Sequence, residues 1–187
     1  MRARRPDPAM LGNSGYERIL SDAYYTERWV TEALLSQVRF RGAVWEPAAG
    51  RGDISVVLRG AGYNNVIESD IAWPDSVDFL RQRSLPDYVE SIATNPPYDQ
   101  IVDFICHALV LTKPVDGMVA MLARHEFECA GTRKGLFNRP PFACRVVLTR
   151  RPHWVERKKG DKSPRYNFGW LVWDWRHTGP ATTRYAP

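Results

Sequence analysis

Strand-like and helix-like segments alternate through the middle of the sequence, and this alternation constrains the fold more than any other feature. Four short apolar runs, GAVWE, NVI, VESIAT and GMVAMLA, follow one another between residues 42 and 123 and are typical of buried strands. The runs DISVVLRGAG and DQIVDFICHALVLT lie among them and have helical patterns. Because strands that alternate with helices pair in parallel, we predict an α/β fold with helices on both faces of a mostly parallel sheet.

The residues on both sides of this alternating region predict further elements. Apolar residues at helical spacing begin near Thr26, which predicts a further helix. Residues 1–20 have no sustained period and are interpreted as a flexible arm, which leaves residues 21–187 as a single domain. The runs CRVVLTRRPHWV and NFGWLVWDW are predicted to be two long strands that form an antiparallel hairpin at the edge of the sheet.

Single residues refine the predicted elements. Asp53 is the expected N-cap of the helix that follows the glycine loop. The run SVDFL is predicted to be a short extended piece. In the last strand, the alternating tryptophans are expected to pack on one face; they are Trp170, Trp173 and Trp175.

The composition is that of an ordinary globular protein, with 44% hydrophobic and 25% charged residues. No apolar run approaches the ~20 residues that a membrane helix needs, and the N-terminus lacks the apolar centre of a signal peptide. Cys106, Cys129 and Cys144 are widely spaced without a CxxC pair, which favours free thiols. We therefore predict a cytoplasmic protein that uses neither a membrane nor a metal.

The formal net charge is +5, and its distribution is uneven. Residues 145–165 contain eight lysine or arginine residues against two acidic ones, with Trp154 among them and Tyr166 directly after. A basic segment with interleaved aromatic residues suits a polyanion whose bases can stack, which favours a nucleic-acid partner. The alternative is a solvated basic loop.

The run EPAAGRGDIS joins the first strand to the next helix through a glycine loop. Gly50 and Gly52 lack a Cβ, which lets a ligand approach the backbone, and the helix start offers unpaired N–H groups. A dinucleotide fingerprint would require a third glycine where Ser55 stands. The carboxylate of Glu46 disfavours a pyrophosphate and suits a cationic ligand such as S-adenosylmethionine, although an ordinary tight turn is the alternative.

The second strand ends in an acidic residue. Asp70 follows the glycine loop by about 20 residues, a position from which a carboxylate accepts hydrogen bonds from the ribose hydroxyls of an adenosine. Glu68 is the weaker candidate for this role, and an acid that faces solvent is the alternative. Together the loop and the acid predict a cofactor that contains adenosine.

The run IATNPPYDQ places two prolines between Asn95 and Tyr98 at the end of a predicted strand. Prolines cannot donate to a sheet ladder and fix their own φ, so Pro96 and Pro97 suit a rigid loop. The amide oxygen of Asn95 and the Pro96 carbonyl can accept hydrogen bonds from an amine conjugated to a ring, and Tyr98 offers a flat face for that ring. These residues predict a site for a planar nitrogen substrate at the tip of a strand.

The motif NPPY after a strand, preceded by EPAAGRGD and an acid-ending strand, resembles the S-adenosylmethionine-dependent amino-methyltransferases. The resemblance spans residues 22–176 and implies one catalytic domain with the class I, Rossmann-like fold, a seven-stranded sheet and a reversed last hairpin. The motif order resembles the gamma arrangement of adenine-N6 DNA methyltransferases. Residues 124–154, followed by residues 166–175, look like the small methyltransferases carried by phages and prophages.

The resemblance also implies roles for individual residues. YYTERWVTEALL resembles the segment that closes over the methionine end of the cofactor, and VDFL resembles the segment that flanks its adenine. The candidates for cofactor binding are Tyr25, Thr26, Glu46, Pro47, Ala48, Gly50, Gly52, Asp53, Asp70, Ile71, Asp78 and Phe79. The candidates for catalysis are Asn95, Pro96, Pro97 and Tyr98. The candidates for substrate contact are Trp154, Lys158, Lys159, Tyr166 and Phe168.

The function that these features favour is methyl transfer to the N6 amine of adenine in DNA, with the base flipped out of the duplex. NPPY does not separate this from adenine methylation in RNA. Methylation of a protein glutamine is a weaker alternative, because the usual helical substrate-binding domain is not seen ahead of the core. A binding subunit without activity would not need an intact NPPY. No large target-recognition domain follows the core, so we expect the basic loop and the N-terminal arm to hold the nucleic acid.

Overall fold

The computed structural model describes residues 25–74, 78–138, 141–153 and 166–186, so the predicted N-terminal arm lies outside the described residues. The strands are β1 (Ala43–Glu46), β2 (Val66–Glu68), β3 (Val89–Thr94), β4 (Met118–Arg124), β5 (Phe142–Leu148), β6 (Phe168–Asp174) and β7 (Thr182–Ala186). The α-helices are α1 (Arg28–Leu35), α2 (Asp53–Gly60) and α3 (Ile101–Thr112). Short 3-10 helices cover Phe79–Arg81, Lys113–Val115, His125–Cys129 and Gly131–Leu136.

The strands form one sheet in the order β2-β1-β3-β4-β6-β5-β7, in which β6 runs against its neighbours. The strand pairs β1–β2, β1–β3, β3–β4 and β5–β7 are parallel, whereas β6 is antiparallel to both β4 and β5. The parallel strands therefore end at one edge of the sheet, which we call the carboxyl edge, and β6 begins there. The predicted fold, mostly parallel with an antiparallel pair of late strands, is confirmed.

Helices cover both faces of the sheet, and the sheet separates two hydrophobic cores. Leu34 of α1 and Leu58 of α2 belong to the core that contains Trp170, whereas Ile105 of α3 belongs to the core that contains Trp173. Side chains alternate across a strand, and residues 170 and 173 are an odd number of positions apart. The expectation that the tryptophans share one face was therefore wrong.

The last strands differ from the prediction in their position. β5 and β6 pair antiparallel as expected, but β6 lies between β4 and β5, and the unpredicted strand β7 forms the edge beside β5. The described part of SVDFL forms no strand, because residues 79–81 are a 3-10 helix. Asp78 caps that helix, since its side chain accepts a hydrogen bond of 2.9 Å from the Leu80 backbone N–H.

The cysteines and the helices can be compared with the predictions from composition. Cys106, Cys129 and Cys144 are free thiols. Within the described ranges, no helix has both the length and the apolar character needed to cross a membrane. The same ranges contain no group of three or more His, Cys, Asp or Glu side chains placed to hold a metal ion.

Candidate active site

A cleft of about 210 Å³ opens at the carboxyl edge, where β1, β2 and β3 end. Its lining consists of Tyr25, Thr26, Glu46, Pro47, Ala48, Ala49, Gly50, Arg51, Asp53, Asp70, Ile71, Ala72, Trp73, Asp78, Phe79, Asn95, Pro97, Gln100 and Phe104. The cleft thus brings together every predicted cofactor residue except Gly52, and it places them beside two residues of NPPY. Residues that are far apart in the chain meet here because parallel strands deliver their loops to the same edge.

The two glycines of the loop have different roles. Gly50 has φ +55° and no atom within 4 Å of the place that a Cβ would take, so it leaves open space at the cleft. Gly52 has φ +78°, and a Cβ there would lie 2.8 Å from Glu68 Oε1. Gly52 is also the N-cap of α2, with Asp53 in the first turn, so the expectation that Asp53 caps this helix was wrong. A left-handed N-cap suits glycine because other residues are strained at positive φ.

Glu46 ends β1 and is 1% exposed. Its carboxylate accepts a hydrogen bond of 3.0 Å from the Ser55 backbone N–H and a second bond from the Ser55 hydroxyl. Burial raises the pKa of Glu46 to about 8, and the bonds from Ser55 oppose this rise only in part. A cation that entered the cleft would favour the ionised carboxylate.

The structure distinguishes between the two acids at the end of β2. Asp70 accepts hydrogen bonds from the Gly50 N–H at 2.8 Å and the Ala72 N–H at 2.9 Å, which hold its carboxylate against the glycine loop. Glu68 instead forms a salt bridge of 3.1 Å with Arg59 of α2 and does not line the cleft. Asp70 is therefore the acid in position to meet a ligand.

Two aromatic residues stand at the rim of the cleft. The guanidinium carbon of Arg51 lies 3.4 Å from the ring centroid of Tyr25. The indole Nε1 of Trp73 donates a hydrogen bond of 3.1 Å to the Gly50 carbonyl. Sequence reasoning did not single out Arg51 or Trp73; a bulky aromatic residue three positions after Asp70 was the available signal.

A buried aromatic group forms the floor near the predicted adenine segment. Phe79 is 2% exposed, and its ring centroid lies 4.8 Å from that of Phe104 and 5.2 Å from that of Trp45. Ile71, which also lines the cleft, is 71% exposed. The cleft therefore includes apolar surface from both residues, which suits a flat heteroaromatic ring.

The NPPY turn follows β3 directly. The Asn95 side-chain amide donates a hydrogen bond of 3.3 Å to the hydroxyl of Thr26, which is itself buried. Asn95 and Pro97 line the cleft, whereas Pro96 is buried behind them. The turn is thereby fixed to the segment ahead of α1 as well as to β3.

Tyr98 lies against residues of β4 and β6. Its ring centroid is 5.9 Å from that of Phe168 and 5.5 Å from the guanidinium carbon of Arg124. Phe168 is 1% exposed, so it supports Tyr98 from the core. Tyr166 is partly exposed and packs on the same guanidinium at 3.9 Å. The other predicted substrate contacts, Trp154, Lys158 and Lys159, lie outside the described residues.

Comparison with known proteins gives matches at the level of structure. No family model and no curated protein matches the sequence. A protein from Thermoplasma acidophilum, designated 1320, is 14% identical, covers 78% of this chain and 86% of its own, and has a TM-score of 0.52. A candidate RNA methyltransferase from Pyrococcus horikoshii is 14% identical, covers 79% of this chain and 81% of its own, and has a TM-score of 0.56.

At this level of identity the similarity concerns the fold. The seven-stranded sheet with one reversed strand and helices on both faces is the class I, Rossmann-like methyltransferase fold. In this fold the cleft and the NPPY turn lie at the carboxyl edge, where open α/β sheets bind their ligands.

Proposed function

We propose that this protein transfers a methyl group from S-adenosylmethionine to the N6 amine of adenine in DNA. One observation carries the proposal: Asn95 and Pro97 of the NPPY turn line the same cleft as Gly50 and Asp70. A methyl donor held by the glycine loop and an amine held by the turn would then meet at the carboxyl edge. The methyltransferase fold supports the same type of reaction.

The side of the cleft formed by the glycine loop fits the donor. Open space at Gly50 admits a ligand close to the backbone, and the buried carboxylate of Glu46 suits the positive charge of the donor. Asp70, beside Gly50, has acceptor capacity for ribose hydroxyls, while Phe79 offers an apolar face to the adenine. When bound, S-adenosylmethionine supplies a methyl group made electrophilic by its sulfonium.

The side formed by the NPPY turn fits the amine. Thr26 accepts the Asn95 amide N–H, which fixes the orientation of the amide group. Asn95 Oδ1 and the Pro96 carbonyl would accept the two hydrogens of the amine and make its nitrogen more tetrahedral, so that the lone pair becomes available. The two prolines limit reorganisation of these acceptors. Tyr98 would stack on the flipped base.

Two other substrates are alternatives for the same chemistry. Similarity in fold to a candidate RNA methyltransferase from Pyrococcus horikoshii favours adenine in RNA as the second candidate. A glutamine carboxamide is also planar, but the exposed arginines at the carboxyl edge suit a polyanion better. The motif order that resembles adenine-N6 DNA methyltransferases is the reason for placing DNA first.

The proposal can be tested by incubating the full-length chain with labelled S-adenosylmethionine and a mixed pool of duplex DNA, single-stranded DNA and structured RNA. Mass spectrometry of the digested nucleosides then identifies the modified base. We expect label in N6-methyldeoxyadenosine. Label confined to RNA would select the second candidate, and no transfer to any nucleic acid would overturn both.

A further inference from the structure

Arg124 is the last residue of β4 and lies at the carboxyl edge, on the strand next to β3, which Asn95 directly follows. Its guanidinium carbon is 5.5 Å from the ring centroid of Tyr98 and 3.9 Å from that of Tyr166. Guanidinium groups stack on aromatic faces because they are planar, delocalised and weakly hydrated. The guanidinium of Arg124 therefore lies over the ring of Tyr98, the last residue of the NPPY turn.

The hydrogen-bond donors of Arg124 are available to a ligand. Its side chain is exposed and makes neither a hydrogen bond nor a salt bridge with any residue that the structure describes. Three other arginines are instead paired with carboxylates: Arg41 ahead of β1 with Asp174, Arg59 of α2 with Glu68, and Arg145 of β5 with Glu128. A guanidinium carries five N–H donors in a planar fork that matches the geometry of a phosphate.

Further positive charge lies along the same edge. Arg150 and Arg151 follow β5 and are exposed, and the guanidinium carbon of Arg150 lies 4.2 Å from the ring centroid of Trp29. The backbone N–H of His153 donates a hydrogen bond of 2.8 Å to Glu27, next to the threonine that holds Asn95. Three arginines thus lie on the Tyr98 side of the cleft, where a nucleic-acid backbone would pass.

We propose that Arg124 is a positioning residue for the target nucleotide. Without nucleic acid, its guanidinium covers the ring surfaces of Tyr98 and Tyr166. When a flipped base stacks on Tyr98, Arg124 leaves that surface and donates to the phosphate of the same nucleotide. A purine and a guanidinium are both flat groups that stack on aromatic rings, so one replaces the other at little cost. This inference rests on the proposed function, because it takes Tyr98 as the stacking face.

The test measures binding of a fluorescent adenine-containing oligonucleotide to the full-length protein across a range of salt concentrations. Arg124→Ala should reduce the slope of log K against log salt by about 1, because one phosphate contact is lost. Arg124→Lys should restore most of the slope because it keeps the charge. Arg176→Ala is the matched control: this exposed arginine follows the end of β6, at the opposite edge of the sheet, and its loss should leave the slope unchanged.

The possible outcomes separate this inference from the proposed function. An Arg124→Ala variant with the affinity and slope of the parent protein would overturn the role of Arg124. A second result would also overturn it: Arg124→Ala and Arg124→Lys both lose oligonucleotide affinity, and both also have a lower melting temperature and weaker S-adenosylhomocysteine binding. That pattern indicates a structural role for Arg124. A parent protein that binds DNA but methylates nothing would overturn the proposed function. The slope of log K against log salt would still decide whether Arg124 contacts a phosphate. A parent protein that binds no nucleic acid would overturn both.

Discussion

At the scale of single residues, Asn95 is the group on which the proposed chemistry most depends. Asn95→Ala should lower the rate of methyl transfer by about 100- to 1000-fold, the usual loss when one preorganised hydrogen-bonding group is removed from an active site. Affinity for S-adenosylmethionine should change little, because the glycine loop and Asp70 are unaltered. Single-turnover transfer rates and calorimetric titration with the cofactor measure the two quantities.

A matched control for this change is Asn64→Ala, since Asn64 is exposed ahead of β2 and away from the carboxyl edge. This variant should keep the parent rate. Transfer that survived Asn95→Ala would show that the amide of Asn95 does not hold the amine.

Glu46 predicts a pH dependence of cofactor binding. Its pKa is raised from 4.5 to about 8 by burial, so the unliganded protein holds this carboxyl largely protonated at neutral pH. A cationic ligand needs the ionised form, and affinity should therefore rise by up to about tenfold per pH unit below pH 8. Titration calorimetry between pH 6 and pH 9 measures this rise.

Glu46→Gln separates the contribution of this carboxyl from that of the ammonium group of the ligand. The variant should bind more weakly and retain only the pH dependence that belongs to the ligand. In the unliganded parent protein, stability should fall as pH rises from 4.5 to about 8, because the folded state holds the proton more tightly than the unfolded chain. An affinity with the same pH profile in parent and variant would contradict this account of Glu46.

At the scale of elements, the strand–loop–helix unit predicts different effects at its two glycines. Gly52→Ala should cost stability through its φ of +78°, and its new Cβ, 2.8 Å from Glu68 Oε1, should also displace that side chain from its salt bridge with Arg59. Gly50→Ala should cost about 1–2 kcal/mol of stability from its positive φ alone, and its larger effect should be weaker cofactor binding. Thermal unfolding and cofactor titration of both variants measure the difference. Equal loss of stability in the two variants would show that the contact with Glu68 adds nothing to the cost of a side chain at position 52.

The sequence patterns predicted elements well where apolar residues were continuous and poorly where they were not. β3 and β4 are buried along nearly their whole length, and their apolar runs were sufficient to identify them. β7 has four exposed residues out of five, TTRYA, so its sequence carries no strand period; only pairing with β5 defines it. The cap of α2 was missed because an aspartate after glycine resembles an N-cap, whereas the left-handed φ of Gly52 is set by the fold.

At the scale of the whole molecule, the identity of the cofactor predicts ligand-linked stability. S-adenosylhomocysteine at a hundred times its Kd should raise the free energy of unfolding by about 2.7 kcal/mol, because it binds only the folded state. NAD at the same concentration should leave the melting temperature unchanged, since the loop lacks the third glycine of a dinucleotide site and has Ser55 in its place. Scanning calorimetry with each ligand measures both. Stabilisation by NAD alone would contradict the cofactor assignment.

The sequence by itself determined the α/β alternation, the glycine loop, the acid after β2 and the NPPY turn, because local spacing and proline or glycine chemistry fix such features within a few residues. Only the tertiary structure decided that Asp70 and not Glu68 faces the cleft, that Thr26 holds Asn95, and that Arg124 covers Tyr98. Those facts depend on contacts between residues tens of positions apart, which arise from strand order and register. A residue pattern constrains its own neighbours in the chain, whereas a site is assembled by the sheet that brings distant loops to one edge.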